Sequence, residues 1–122
     1  MRYRMIVSLV LIAVLAAAAV LGAEHFGVPV YPGAKQDAEE TAFLRKIGVE
    51  QGFFYRTAER PDKVVAFYLK QPGLTSLGHD AQGGRFVMQA GDRTVYITVE
   101  SPWQPSRGGD VRRDTKILLV KE

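Results

Sequence analysis

Cysteine is absent from this 122-residue chain, which also has one tryptophan, two histidines and a net charge of only +3. Without cysteine there can be no disulfide, thiolate metal site or thiol nucleophile, so the fold depends on packing alone. Arg2 and Arg4 account for two of the positive charges, which leaves about +1 on the rest of the chain. A nucleic-acid-binding domain would carry a basic face or stripe, whereas here the charges alternate in sign. The composition therefore predicts no nucleic-acid partner.

The N-terminal segment has the plan of a secretory signal: two arginines, then 19 uncharged residues ending at Ala23, then Glu24. One interpretation is a cleaved signal peptide over residues 1–23. The other is a retained membrane anchor, because the uncharged run is close to the roughly 20 residues that cross a bilayer. The arginines would then keep the N-terminus in the cytoplasm. Both interpretations predict that residues 24–122 form a single exported domain, either periplasmic or anchored to the inner membrane and facing the periplasm.

Hydrophobic periodicity in residues 24–122 predicts an α+β fold. Val95, Ile97 and Val99 alternate with polar residues in the clearest strand pattern of the chain. Pro61 stands where a first helical residue is expected, and an apolar face follows it over residues 61–71. The predicted architecture is an antiparallel sheet of about four strands, with one main helix packed on one face in two layers. The strands are expected near residues 53–57, 85–89, 93–100 and 115–120, and a short second helix near 37–47.

Two short motifs resemble a pattern found in uncharacterised small exported bacterial proteins. The first is Val28-Pro29-Val30-Tyr31-Pro32-Gly33-Ala34, which follows the apolar segment. The second is Val64-Val65-Ala66-Phe67-Tyr68, which lies within the predicted main helix. The resemblance implies a small α+β domain of the cell envelope and implies no activity. One departure is Arg60, which precedes the helix proline where such sequences tend to have a capping serine, threonine or aspartate.

The connection over residues 101–114 is the segment with the strongest functional signal. It joins two predicted strands with about 14 residues where a hairpin needs 2 to 5, and such long connections are uncommon unless they have a function. It contains Trp103, Arg107, Arg112 and Arg113, and Trp and Arg often dominate protein contacts. One interpretation makes these four residues a binding surface for a partner. In the other, Trp103 folds back to close the core and the arginines are merely solvated.

Catalytic and metal-binding signals are weak. His79 and Asp80 are adjacent in a glycine-flanked segment, where the carboxylate could orient the imidazole as a base, but no nucleophile or metal-ligand spacing accompanies them. The other candidate carboxylates are interpreted as solvated surface charge, and four tyrosines as half-buried core residues rather than a ligand groove. Those carboxylates are Glu39, Glu40, Asp110 and Asp114, and the tyrosines are Tyr31, Tyr55, Tyr68 and Tyr96. The sequence predicts no catalytic residue, metal ligand or cofactor.

These observations favour a non-catalytic binding or interaction module of the bacterial envelope. The expected partner is an envelope protein, with membrane contact only through the N-terminal segment if that segment is uncleaved. One alternative is a small periplasmic hydrolase or lyase that uses His79 and a carboxylate. Another is a structural accessory subunit of an envelope complex.

Overall fold

The computed structural model describes residues 23–122, which belong to two compact units with their boundary along the chain between Pro32 and Gly33. All of the predicted leader except Ala23 lies outside the described residues. The described part of the first unit is a small antiparallel hairpin of β1 (Glu24–His25) and β2 (Val28–Pro29). Its two turn residues, Phe26 and Gly27, both have positive φ angles of 57° and 82°. A two-residue hairpin turn of this hand requires that conformation at both positions.

The second unit contains two helices and one six-stranded sheet in which every neighbouring pair is antiparallel, in the order β3-β4-β8-β7-β6-β5. Both helices have nine residues, and neither helix in residues 23–122 is long and apolar enough to cross a membrane. The elements are β3 (Lys35–Gln36), α1 (Ala38–Lys46), β4 (Gly52–Thr57), α2 (Pro61–Leu69), β5 (Thr75–Asp80), β6 (Gly83–Ala90), β7 (Arg93–Glu100) and β8 (Thr115–Lys121).

The structure confirms the α+β class and corrects the number of strands. The four predicted strands correspond to β4, β6, β7 and β8, but the sheet also contains β3 and β5. Every residue of β5 is exposed, and its pairing with β6 shifts between Ser76 and Gly78. An edge strand that buries nothing carries no hydrophobic alternation, so its sequence predicted a glycine-rich loop instead.

The main core lies between α2 and one face of the sheet, as the sequence predicted. Val95, Ile97 and Val99 are all buried on this face of β7. Tyr68 of α2 is also fully buried, with its ring centroid 5.9 Å from that of Phe86 in β6. The helix begins at Pro61, also as predicted.

Helix α1 packs on the opposite face, which corrects the prediction of two layers with one main helix. A side chain on Gly52 would point at Leu44 of α1, only 3.1 Å away, and alternation along β4 puts Phe54 on the same face. The Thr41 hydroxyl accepts a hydrogen bond from the Phe54 backbone N–H at 3.1 Å. The α1 helix therefore covers one corner of the face that α2 leaves open, next to the 101–114 connection.

Candidate functional site

The 101–114 connection folds back onto the sheet through Trp103. The indole is only 3% exposed, and its ring centroid lies 5.0 Å from that of Phe54. Its Nε1–H donates a hydrogen bond to Asp114 Oδ1 at 2.9 Å. The backbones of Trp103 and Arg112 exchange two hydrogen bonds of 3.0 and 2.9 Å, which form an isolated antiparallel bridge at the base of the connection. The base of this long loop is therefore ordered.

Arg56 of β4 links this base to the sheet and to α1. Its Nε donates to Asp114 Oδ2 at 2.7 Å, and its guanidinium carbon lies 5.2 Å from the centroid of the Trp103 ring. A longer contact of 3.4 Å joins Arg56 Nη1 to Asp37, the N-cap residue of α1. The hydrogen bond to Asp114 is the main reason that the pKa of Arg56 is raised above its ordinary value. Arg56 therefore remains a cation in contact with the indole.

A second attachment holds the middle of the connection. Glu40, in the first turn of α1, is only 8% exposed, and its Oε1 accepts a hydrogen bond from the Ser106 backbone N–H at 3.1 Å. The Ser106 hydroxyl donates to the other carboxylate oxygen of Glu40. Glu40 was interpreted from sequence as solvated surface charge, and that interpretation is wrong: both of its oxygens bind the loop. The connection is thus attached at its base and again at its midpoint.

Residues 107–113 are all exposed, and we call this segment the tip. It includes Arg112, whose backbone also pairs with Trp103 at the base of the connection. Arg107, Arg112 and Arg113 are exposed, and none forms an ion pair with any residue of the described part of the chain. Val111 lies between them with 53% of its surface exposed. The structure therefore separates the four predicted site residues into two groups. Trp103 is a buried anchor, whereas the three arginines carry the exposed charge of the tip.

His79 and Asp80 lie at the end of β5, beside an open depression of about 350 Å³. The Asp80 carboxylate binds elsewhere, because its Oδ1 accepts a hydrogen bond from the Gln82 backbone N–H at 2.8 Å. Alternation along β5 also puts the side chains of His79 and Asp80 on opposite faces of the strand. Strand pairing adds charged residues that sequence reasoning missed, Arg85 and Glu100. Only the pairing of β5, β6 and β7 could have pointed to them. The depression is lined by Gly78, His79, Asp80, Gln82, Gly83, Gly84, Arg85, Thr98, Val99 and Glu100.

The other candidate sites of the sequence do not assemble. Tyr55 and Tyr68 are buried in the core, at 6% and 0% exposure, so they cannot line an exposed groove. Tyr96 alternates with the buried residues of β7 and therefore lies on the opposite face of the sheet. Among residues 23–122, no group of three or more His, Asp or Glu side chains is placed to hold a metal ion.

Comparison with protein-family models, with curated proteins and with solved structures finds no match to this chain. The resemblance of its two short motifs to small exported proteins therefore stays a prediction.

Proposed function

We propose that this chain is a non-catalytic binding module of the bacterial envelope, exported as its N-terminal sequence predicts. Its contact surface is the tip, residues 107–113, and its partner is another envelope protein. The observation that carries this proposal is the combination of a doubly attached loop with three exposed arginines that have no ion-pair partner among residues 23–122.

The attachments support a binding role because they reduce the cost of association. A loop that must become ordered on binding loses conformational entropy, whereas a preformed loop has already lost it on folding. Here Trp103 and Ser106 are held by Asp114 and Glu40, so the backbone beside the arginines is fixed before any partner arrives. Gln104 Nε2 also donates to the Gly109 carbonyl at 2.6 Å, which closes the tip on itself.

The charge of the tip supports an acidic region on the partner. Each guanidinium presents several N–H donors in a planar fork that matches a carboxylate. The tip contains three arginines and a single acidic residue, Asp110. Complementary charge of this kind increases association rates and selects partners more than it increases affinity.

In-cell cross-linking tests this proposal. A photoreactive residue at position 111 is exposed, unlike one at the buried position 103, and lies between the arginines. We expect one reproducible protein partner, lost when Arg107, Arg112 and Arg113 are changed together to alanine. The matched control changes three exposed basic residues outside the tip, Lys46, Lys70 and Arg93, and should leave the cross-link intact. Cross-links only within the chain, or equal loss in the control, would contradict the proposal.

The depression beside His79 supports a second candidate, a small hydrolase or lyase. His79 lines this open space together with two carboxylates, Asp80 and Glu100. In this case His79→Ala should abolish turnover of some substrate without lowering stability, because His79 is exposed. A broad hydrolytic screen with no turnover by the wild-type chain would count against it.

A further inference from the structure

We infer that the depression at the end of β5, β6 and β7 is a binding site for a small zwitterion of amino-acid to dipeptide size. The ligand's ammonium would contact Glu100 and Asp80, and its carboxylate would contact Arg85. This inference does not rest on the proposed function, which concerns the arginine tip.

Strand register brings the charged residues of the site together. Asp80 pairs with Gly83, and Gly83 pairs with Glu100, so two carboxylates flank a position that has no side chain. With strands about 4.8 Å apart, the Cα atoms of these two acidic residues are roughly 10 Å apart. Arg85 pairs with Thr98, which makes it a diagonal neighbour of Glu100 at about 7–8 Å. One cationic and two anionic groups therefore surround a gap. Lys116 of β8 also pairs with Glu100, but it does not line the depression, and its ammonium lies 5.6 Å from the centroid of the Phe54 ring.

Glycine is required at the floor of this gap. A Cβ on Gly83 would lie 1.9 Å from the Val99 carbonyl oxygen, and the φ angle of 148° is one that other residues rarely adopt. A Cβ on the next residue, Gly84, would lie 2.8 Å from Cβ of His79. The Val99 backbone thus keeps a side chain out of position 83, and the His79 side chain keeps one out of position 84, so the depression is a fixed feature of the fold.

The charges around the gap do not neutralise one another. Within the described part of the chain, no ion pair involves Arg85, Asp80 or Glu100, although opposite charges lie on diagonal positions. A molecule that carries both an ammonium and a carboxylate can satisfy both sides at once. A molecule with one charge satisfies only one side, and a guanidinium accepts a carboxylate best through two parallel hydrogen bonds.

The size and exposure of the site define the ligand and its affinity. A volume of about 350 Å³ is near the lower end of small-molecule sites, which suits a dipeptide. Because the depression is open to solvent, each ion pair is weak, so we expect a dissociation constant in the millimolar range.

Titration of the isotope-labelled full chain with glycylglycine, followed by amide NMR spectra, tests the inference. We expect saturable shifts at residues 78–85 and 98–100. An uncharged peptide of similar size, N-acetylglycine N-methylamide, should produce no such shifts, and neither should acetate or methylamine at equal concentration. Arg85→Gln and Glu100→Gln should each weaken binding by about threefold to tenfold.

Two further variants keep the test decisive. Exchange of the charges, Arg85→Glu with Glu100→Arg, retains both partners for a zwitterion and should restore binding lost in either single variant. Arg93→Gln, at the opposite end of the β6–β7 hairpin, should bind as the wild type does. The inference is overturned if the uncharged analogue causes equal shifts, if glycylglycine causes none, or if both single variants bind normally. Because the cross-linking experiment reports on position 111 without added ligand, either proposal can fail while the other holds.

Discussion

Replacement of Trp103 by alanine tests whether the indole anchors the 101–114 connection. The side chain is 3% exposed, and burying an aromatic ring of this size removes about 150–250 Å² from water. At about 25 cal/mol per Å², that area corresponds to roughly 4–6 kcal/mol. Measured Trp→Ala losses in cores are about 3–5 kcal/mol. The Asp114 carboxylate would also lose the Nε1–H donor, but it keeps Arg56. We therefore expect a loss of about 3–5 kcal/mol.

Equilibrium urea unfolding of the full chain measures this loss. Far-UV circular dichroism is the required probe, because Trp103 is the only tryptophan and its removal abolishes indole fluorescence. Arg107→Ala, in the same connection but exposed, is the matched control and should change stability by less than about 0.5 kcal/mol. If Trp103→Ala also changed stability by no more than 0.5 kcal/mol, the ring would not be an anchor. That result would refute a preformed tip.

Two other perturbations have clear expected outcomes. Gly83→Ala should lower the free energy of unfolding by more than about 2 kcal/mol in urea, because the new methyl would overlap the Val99 carbonyl and the φ angle there is strained for alanine. An unfolding free energy close to that of the wild type would contradict this geometry. Burial raises the pKa of the Tyr55 phenol above its ordinary value of 10.0, so the unfolded chain ionises first and stability should fall as pH rises above 10. Urea midpoints between pH 8 and 11 should show a shallower decline in Tyr55→Phe, and an unchanged slope would contradict this assignment.

The elements that could be predicted from sequence are those with one buried face. Strand β7 and helix α2 pack against each other from opposite sides of one core. Their buried positions are therefore apolar residues, and these produce the alternation in β7 and the apolar face of α2. Strands β3 and β5 are held by backbone hydrogen bonds at the two edges of the sheet. Those bonds do not depend on side-chain identity, and exposed strands leave no hydrophobic pattern. Local sequence therefore could not reveal either of them.

The sequence could identify the 101–114 connection as a candidate site, but it could not predict how the side chains of this segment are arranged. Length and composition singled out the 101–114 connection. Whether Trp103 is buried or exposed, however, depends on contacts between the connection and residues far away in sequence. Arg56 is 58 residues from Asp114, and Glu40 is 66 residues from Ser106. Neither contact leaves a local signature, so sequence alone allowed both an exposed and a buried tryptophan. The charged lining of the depression was missed for the same reason, since it depends on the pairing of β5, β6 and β7.

The long-range contacts also determine which charges the connection presents to solvent. Counted by composition, its acidic residues partly balance its arginines. The fold removes much of this balance, because the Asp114 carboxylate accepts hydrogen bonds from Arg56 and from the indole of Trp103. Its neighbours Arg112 and Arg113 form no ion pair with it or with any other residue among residues 23–122. The same interactions that anchor the loop thus leave its tip positively charged, which links the stability of this segment to its proposed role as a contact surface.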